Sequence, residues 1–289
     1  MRRQFEIPAA IAAQAAKARA RDPSQPREKA PVRDAVTVIL LRDGRRGLET
    51  YLLRRQGSMK AFGGMTVFPG GTVDPADIGA VDVPWSGPPA VEWTASLSAD
   101  EPLARGLIAA AVRETFEESG VLLAGPDDET VVGDTSTPEW QEAARALENR
   151  GTSLTELLTR HGLRIRADLL RPWSHWLTPE VEIRRFDTRF LLAALPPGQR
   201  TGAVAAEASD VAWVRPADAI AELDAGERIM VPPTAYTLLD LAEFATAADA
   251  LKAAEGRHIE RITPQLHPTE SGAFRFVTPE DPAYVREAE

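Results

Sequence analysis

The stretch Arg113-Glu114-Thr115-Phe116-Glu117-Glu118-Ser119-Gly120-Val121 constrains this chain more than any other. Glu114, Glu117 and Glu118 stand at i, i+3 and i+4, so a helix carries all three carboxylates on one side. Asp100 is a good N-cap, Pro102 suits a first turn and Gly120 suits a left-handed stop. A helix is therefore predicted from Asp100 to about Ser119, with Ile108, Ala111, Val112, Thr115 and Phe116 on its apolar face. Like charges at this spacing repel by roughly a few tenths of a kcal/mol, so packing does not ask for the cluster. A divalent cation would make it favourable, and carboxylate oxygens suit Mg²⁺ and Mn²⁺. By spacing alone a glutamate triad is most often a solvated face. The adjoining Arg113 and Gly120, with Phe68-Pro69-Gly70-Gly71 upstream, point to chemistry instead.

The 289 residues, 44% of them hydrophobic, suffice for one large core or two modest ones. No apolar run reaches the eighteen or so residues of a membrane span, and no h-region follows Met1-Arg2-Arg3, so neither a membrane anchor nor a secretory signal is expected. Cysteine is absent, which excludes disulfides, thiolate metal sites and cysteine nucleophiles and fits a cytoplasmic location. A formal net charge of −10 argues against non-specific nucleic-acid binding. An acidic chain that handles phosphates needs metal and clustered Arg or Lys at its site.

Residues 7 to 21 read as an alanine-rich helix that either packs on a second copy, giving a homodimer, or frays, and residues 22 to 33 read as a linker. Residues 35–41 and 49–54 read as strands of an antiparallel hairpin around Asp43-Gly44. Residues 57 to 75 are glycine-rich, and 75 to 100 read as an irregular, proline-bearing excursion containing Trp85 and Trp93. Val121-Leu122-Leu123, residues 185–195 and 211–214 read as strands. Two short helices flank Gly151, another opens at Pro216, and residues 232–255 read as helical. The expected organisation is an N-terminal helix and linker (1–33), a catalytic α/β domain (34–225, with an insertion at about 78–100) and a helical C-terminal extension (226–289) packed on it.

With these residues in view, the chain resembles the Nudix hydrolases, whose signature is G-x5-E-x7-R-E-U-x-E-E-x-G-U, where U is bulky and apolar. Arg113 to Val121 match its second half, with Thr115 at a U position. Gly71 opens the first half, and Asp77 stands where the family usually has Glu. Thirty-five residues then separate Asp77 from Arg113, against seven in the pattern, so the box is interrupted in a loop, where length costs little. A split box resembles the branch that includes a peroxisomal coenzyme A diphosphatase. Leu52-Leu53-Arg54-Arg55, Trp176-Leu177-Thr178-Pro179 and Arg184 to Phe190 are similar to that branch too. The motif often found upstream in coenzyme A hydrolases is matched at Arg55, Gly64 and Phe68 to Gly71, with Lys60 replacing an Arg. The chain ends Arg286-Glu287-Ala288-Glu289 rather than in a Ser-Lys-Leu peroxisomal address.

The resemblance implies a Nudix-type α/β/α sandwich with a mixed central sheet, an insertion before the catalytic helix and helical C-terminal additions. It implies metal-dependent hydrolysis of a small-molecule diphosphate, either coenzyme A or acyl-coenzyme A, or a nucleotide sugar, dinucleotide or damaged nucleotide. A nucleotide-binding regulator without catalysis is a third expectation, which the retained carboxylates oppose. Glu117 and Glu118 are expected metal ligands, Glu114 a third ligand or the general base, and Arg113 its orienting partner. Glu207 is a further candidate ligand. Arg55, Lys60, Gly70, Gly71 and Arg185 are candidate substrate contacts. Asp77 reads equally well as a plain loop aspartate. Arg184 and Arg189 read more readily as strand-face charges, Trp173 and Trp176 as core, and His175 as a hydrogen-bonded structural histidine.

Overall fold

The computed structural model describes residues 30–56, 64–202, 208–269, 274–279 and 281–285. The expected N-terminal helix, Lys60 and Glu207 lie outside them. In chain order the elements are β1 (Val32–Gly44), β2 (Gly47–Arg55), β3 (Thr66–Val67), β4 (Gly70–Thr72), α1 (Pro75–Ile78), β5 (Trp85–Ser86), α2 (Thr94–Leu97), α3 (Glu101–Ser119), β6 (Ala124–Gly125), α4 (Pro138–Glu148), α5 (Leu154–His161), β7 (Arg164–Arg166), β8 (Arg171–Leu177), β9 (Arg185–Ala194), β10 (Ala208–Val214), α6 (Pro216–Asp224), α7 (Pro232–Leu241), α8 (Ala247–Ala254), β11 (Arg261–Ile262), β12 (Gln265–Pro268) and β13 (Phe274–Val277).

The main sheet runs β10-β2-β1-β9-β8-β11 and is mixed, with β1 parallel to β9 and β11 parallel to β8. Strand β1 is apolar on both faces because both are covered. Val36, Val38 and Leu40 face the core built around α3, whereas Ile39 and Leu41 face a second core that takes residues from α6, α7 and α8. The sheet is thus the middle layer of an α/β/α sandwich. One edge of β1 is shared. Its second half pairs with β2 at Leu41 to Gly44, and its first half pairs with β4, which sets Val36 opposite Gly71 and Thr37 opposite Gly70.

Helix α3 begins where the sequence places it. The Asp100 side chain accepts from the Leu103 amide, and Gly120 ends the helix at φ 73°. Leu107, Ile108, Val112 and Phe116 are fully buried, each contributing roughly 1.5–3 kcal/mol. The glutamate face is thereby held against the sheet.

Three expectations need correction. Val121-Leu122-Leu123 is buried but not a strand; only Ala124–Gly125 pairs, with β7. The helix expected over 232–255 is two helices, broken between Leu241 and Ala247, where the Ala245 carbonyl accepts from Leu48 and the Ala247 amide donates to Asp43. The C-terminal extension is helical only to Ala254, and from Arg261 it is strand, because its short alternating segments add to β8 and to each other.

The excursion from 75 to 100 is ordered. The Trp85 and Trp93 indoles both donate to the Pro88 carbonyl, at 2.8 and 3.2 Å. Strand β5 pairs with β7, and Val83, Trp93 and Leu97 enter the α3 core. Arg189 fastens the far end. Its guanidinium, 4% exposed, donates to the carbonyls of Leu97 and Ser98 and to Asp34.

Candidate active site

Helix α3 and strand β4 bring the two halves of the split box together. The Gly70 amide donates to Glu118 Oε2 at 2.8 Å. A Cβ built on Gly71 would stand 2.3 Å from Glu114 Oε1, and one on Gly70 would stand 2.3 Å from the Val36 carbonyl oxygen. Side chains at these positions would displace the carboxylate or the strand, so the glycine pair is a requirement of close approach.

Arg113 is the hub of the cluster. It donates to both oxygens of Asp77 at 3.1 and 2.9 Å, to Glu114 at 2.8 Å, to Glu117 at 3.3 Å and to the Thr72 carbonyl at 3.1 Å. Asp77 is 4% exposed and is therefore no plain loop aspartate. It sits on α1, where it also accepts from the Asp74 amide at 2.9 Å. The start of the insertion thus reaches back across the break in the box and holds the arginine that orients Glu114.

The charges are crowded. Burial alone would lower the Arg113 pKa, but the bond to Asp77 and the charges of Glu114, Asp77 and Glu117 raise it beyond the ordinary arginine value. Burial pushes Glu114 up, with Arg113 opposing and Asp77 and Asp74 adding to the rise. Burial likewise pushes Glu117 up to about 7, against the pull of Arg113 and with the push of Glu114 and Asp77. A folded-state value above the ordinary 4.5 means that the folded protein holds this proton more tightly than the unfolded chain. The contribution of Glu117 to stability therefore falls as pH rises from 4.5 to about 7 and is level above that. In metal-free protein the Tm of wild type relative to Glu117→Gln is expected to drop across that window, and Mg²⁺ is expected to remove the drop. A difference that stays flat from pH 4.5 to 7 without metal would contradict this account.

These carboxylates line one wall of a cavity of about 800 Å³. Gly70, Gly71, Asp77 and Arg113 join Glu114, Glu117 and Glu118 there through the contacts above, and Arg55 also lines the cavity. Trp176, Pro179, Phe186, Phe190, Pro232 and Phe276 supply apolar surface elsewhere in the lining. The motif-like segments 176–179 and 184–190 already contain Trp176, Pro179, Phe186 and Phe190, whereas Pro232 and Phe276 carry no motif and reach the cavity only through the fold. Trp176 is 4% exposed and stacks on Tyr236, with ring centroids 6.0 Å apart, so it serves core and cavity wall together. Trp173 is core, between Phe244 and the guanidinium of Arg257.

The remaining candidates fall elsewhere. Arg185 is buried at the start of β9, where its Nε donates to the Thr178 carbonyl at 3.1 Å, and it is not part of the cavity lining. Arg184 is exposed. His175 is 2% exposed, lies 2.6 Å from Asp187 through Nε2, and is also away from the cavity lining.

Among the described residues no three acidic or imidazole side chains are already gathered into a metal cage. Glu114 and Glu117 are turned onto Arg113, and Glu118 onto the Gly70 amide. The donor set nevertheless fits a hard divalent cation. Three carboxylates share one helix face at a cavity wall, and the two that face Arg113 are destabilised as anions by burial.

Comparison with known proteins agrees with this geometry. A family model described as the NUDT19 Nudix domain matches residues 91–241, just over half of the chain. The acyl-coenzyme A diphosphatase NUDT19 of Gallus gallus is 29% identical over 288 residues, covering 83% of this chain and 75% of that protein. Its namesake from Homo sapiens is 30% identical over 203 residues, covering 62% of this chain and 51% of that protein. The chain thus spans three quarters of the length of the first relative and about half of the second. The crystal structure of a NUDIX hydrolase from Alicyclobacillus acidocaldarius superposes with a TM-score of 0.65 at 29% identity, over 77% of this chain and 96% of that one. Fold, split box and family match converge, and the chain belongs to the NUDT19 Nudix domain family.

Proposed function

We propose that this chain is a metal-dependent Nudix diphosphatase that hydrolyses coenzyme A or acyl-coenzyme A to 3′,5′-ADP and 4′-phosphopantetheine or its acyl form. The observation that carries the reading is the convergence of Glu114, Glu117 and Glu118, Arg113 and the Gly70-Gly71 backbone on one wall of a large cavity that also has an apolar lining. The diphosphatase names of the NUDT19 relatives and the degraded coenzyme A motif from Arg55 to Gly71 support the choice of substrate.

Glu117 and Glu118 are assigned as ligands of Mg²⁺ or Mn²⁺, with Glu114 either completing the set or accepting a proton from the attacking water. When bound, the metal neutralises diphosphate charge and lowers the pKa of its water. Arg113 holds the Glu114 carboxylate in one orientation through a charge-assisted bond of 2.8 Å. The Gly70 amide fixes Glu118. The apolar lining of Phe68, Phe186 and Phe190 excludes water from part of the cavity and suits the less polar portion of the substrate. Arg55 lines the same cavity as a cation for substrate phosphate. Glu207 remains a proposed further ligand and Lys60 a proposed phosphate contact.

A substrate panel tests the reading. With Mg²⁺ or Mn²⁺, coenzyme A or an acyl derivative is expected to yield two phosphate-bearing products, 3′,5′-ADP among them. Turnover of nucleotide sugars or dinucleotides alone would move the protein to a housecleaning role. Nucleotide binding without any turnover would make it a regulator.

A further inference from the structure

The end of helix α4 carries a residue its backbone does not favour. The Arg150 amide donates to the Leu147 carbonyl at 2.8 Å and the Gly151 amide to the Ala146 carbonyl at 2.7 Å. This pair of bonds places Arg150 at the left-handed position of the cap, with φ 56°. Helices α5 and α6 close with the same two-bond pattern and put glycine there, Gly162 at φ 63° and Gly226 at φ 74°. In α4 the glycine falls one residue later, at Gly151, where an added Cβ would meet nothing closer than 3.4 Å. Backbone chemistry wants glycine at 150 and tolerates a side chain at 151, and the chain has the reverse.

The guanidinium held at this cost lines the cavity. Its side chain is 78% exposed and lies 3.0 Å from Asp74, at the start of α1. One turn further along α1, Asp77 binds Arg113. The described lining carries three arginines, Arg55, Arg113 and Arg150, against eight acidic side chains. Arg113 is fully engaged by Asp77, Glu114, Glu117 and Thr72. An anionic substrate entering so acidic a cavity needs a cation that can change partners. Arg150, exposed and paired directly with one carboxylate, that of Asp74, can do so because a solvent-exposed pair is weak.

Resting on the diphosphatase reading above, we propose that Arg150 is a substrate-binding residue that leaves Asp74 to grip a phosphate group of the incoming substrate and so sets its affinity. Bidentate contact with a phosphate is what a guanidinium offers over the ammonium of lysine.

The decisive variant is Arg150→Gly, because it suits the backbone. It is expected to match or exceed wild type in Tm while raising KM about tenfold or more, with kcat little changed. Arg150→Lys should recover only part of the loss. Coenzyme A and its 3′-dephospho form separate two sources of the phosphate. A KM increase confined to coenzyme A assigns the grip to the 3′-phosphate, and an equal increase for both assigns it to the diphosphate; either supports the proposal. Thermal stabilisation by 3′,5′-ADP, which needs no hydrolysis, is read in parallel and should shrink in Arg150→Gly. If wild type turns over nothing yet loses this stabilisation on Arg150→Gly, the diphosphatase reading falls and the Arg150 site stands. If turnover is present and both KM and the 3′,5′-ADP shift are the same in Arg150→Gly as in wild type, the Arg150 proposal is overturned and the diphosphatase reading stands. A wild type that neither turns over nor is stabilised overturns both.

Discussion

Replacing Glu117 with glutamine is expected to lower kcat on the order of a thousandfold while leaving the protein folded. Glutamine keeps the length, the helix propensity and one oxygen acceptor, so α3 has no reason to unravel. It removes a negative charge that burial already disfavours, since Glu117 is pushed up to about 7. Without metal the variant should therefore be at least as stable as wild type at neutral pH, which separates lost chemistry from lost structure. The same substitution withdraws a hard anionic donor, so the dependence of rate on Mg²⁺ or Mn²⁺ should shift to higher concentration. Partial rescue at high metal would mark Glu117 as a ligand, whereas an unrescued loss at saturating metal would mark it as a proton acceptor. Near-normal turnover with metal present would remove Glu117 from the mechanism. Glu118→Gln makes a useful contrast. Its Oε2 accepts from the Gly70 amide, and a glutamine oxygen can keep that bond.

How far the sequence reveals this site depends on whether a residue's role is set locally. The glutamate helix is legible because spacing, N-cap and glycine stop are all local, and α3 spans Glu101–Ser119 as expected. The hairpin of β1 and β2 is legible for the same reason. Asp77 is half legible. Its distance from Gly71 fits the box, but its bond to Arg113 is made by folding 35 intervening residues aside. The apolar cavity wall is only partly legible, because Phe68 and Phe186 stand in motif-like segments but nothing local says that they share a cavity with each other and with Phe276. The strands after Arg261 escape notice because they are two to four residues long and find partners only in three dimensions. Arg185 stands in a motif-like run that suggests a ligand, and the structure adds that its Nε donates to the Thr178 carbonyl and that it is not among the residues lining the cavity. Arg150 leaves no trace in sequence because Arg-Gly at a helix end looks like an ordinary glycine cap, and only the backbone angle shows which residue is left-handed.

Arg113→Met is expected to be the most destabilising single change at the site, at about 3–5 kcal/mol. The arginine makes charge-assisted bonds to Asp77, Glu114 and Glu117, and Asp77 is 4% exposed. Methionine fills much of the volume but leaves these carboxylates facing one another without a cation. For a chain of this size such a loss corresponds to a Tm lower by about 10 °C. Turnover should fall as well, because Glu114 loses the bond that orients it. The double variant Asp77→Asn with Arg113→Met distinguishes this account from simple loss of packing. Asparagine removes the most buried of the stranded charges and can still accept the Asp74 amide that closes α1. The double variant should therefore recover part of the stability lost in Arg113→Met, with a coupling of roughly 1–3 kcal/mol. Strictly additive losses would mean that Asp77 and Arg113 merely lie near one another. Coupling would instead make the first turn of the insertion a working part of the box it interrupts. The 35 residues between Asp77 and Arg113 can then be accommodated without harm to the site, because the bond that matters is made through space by α1 and α3 and not by the length of chain between them.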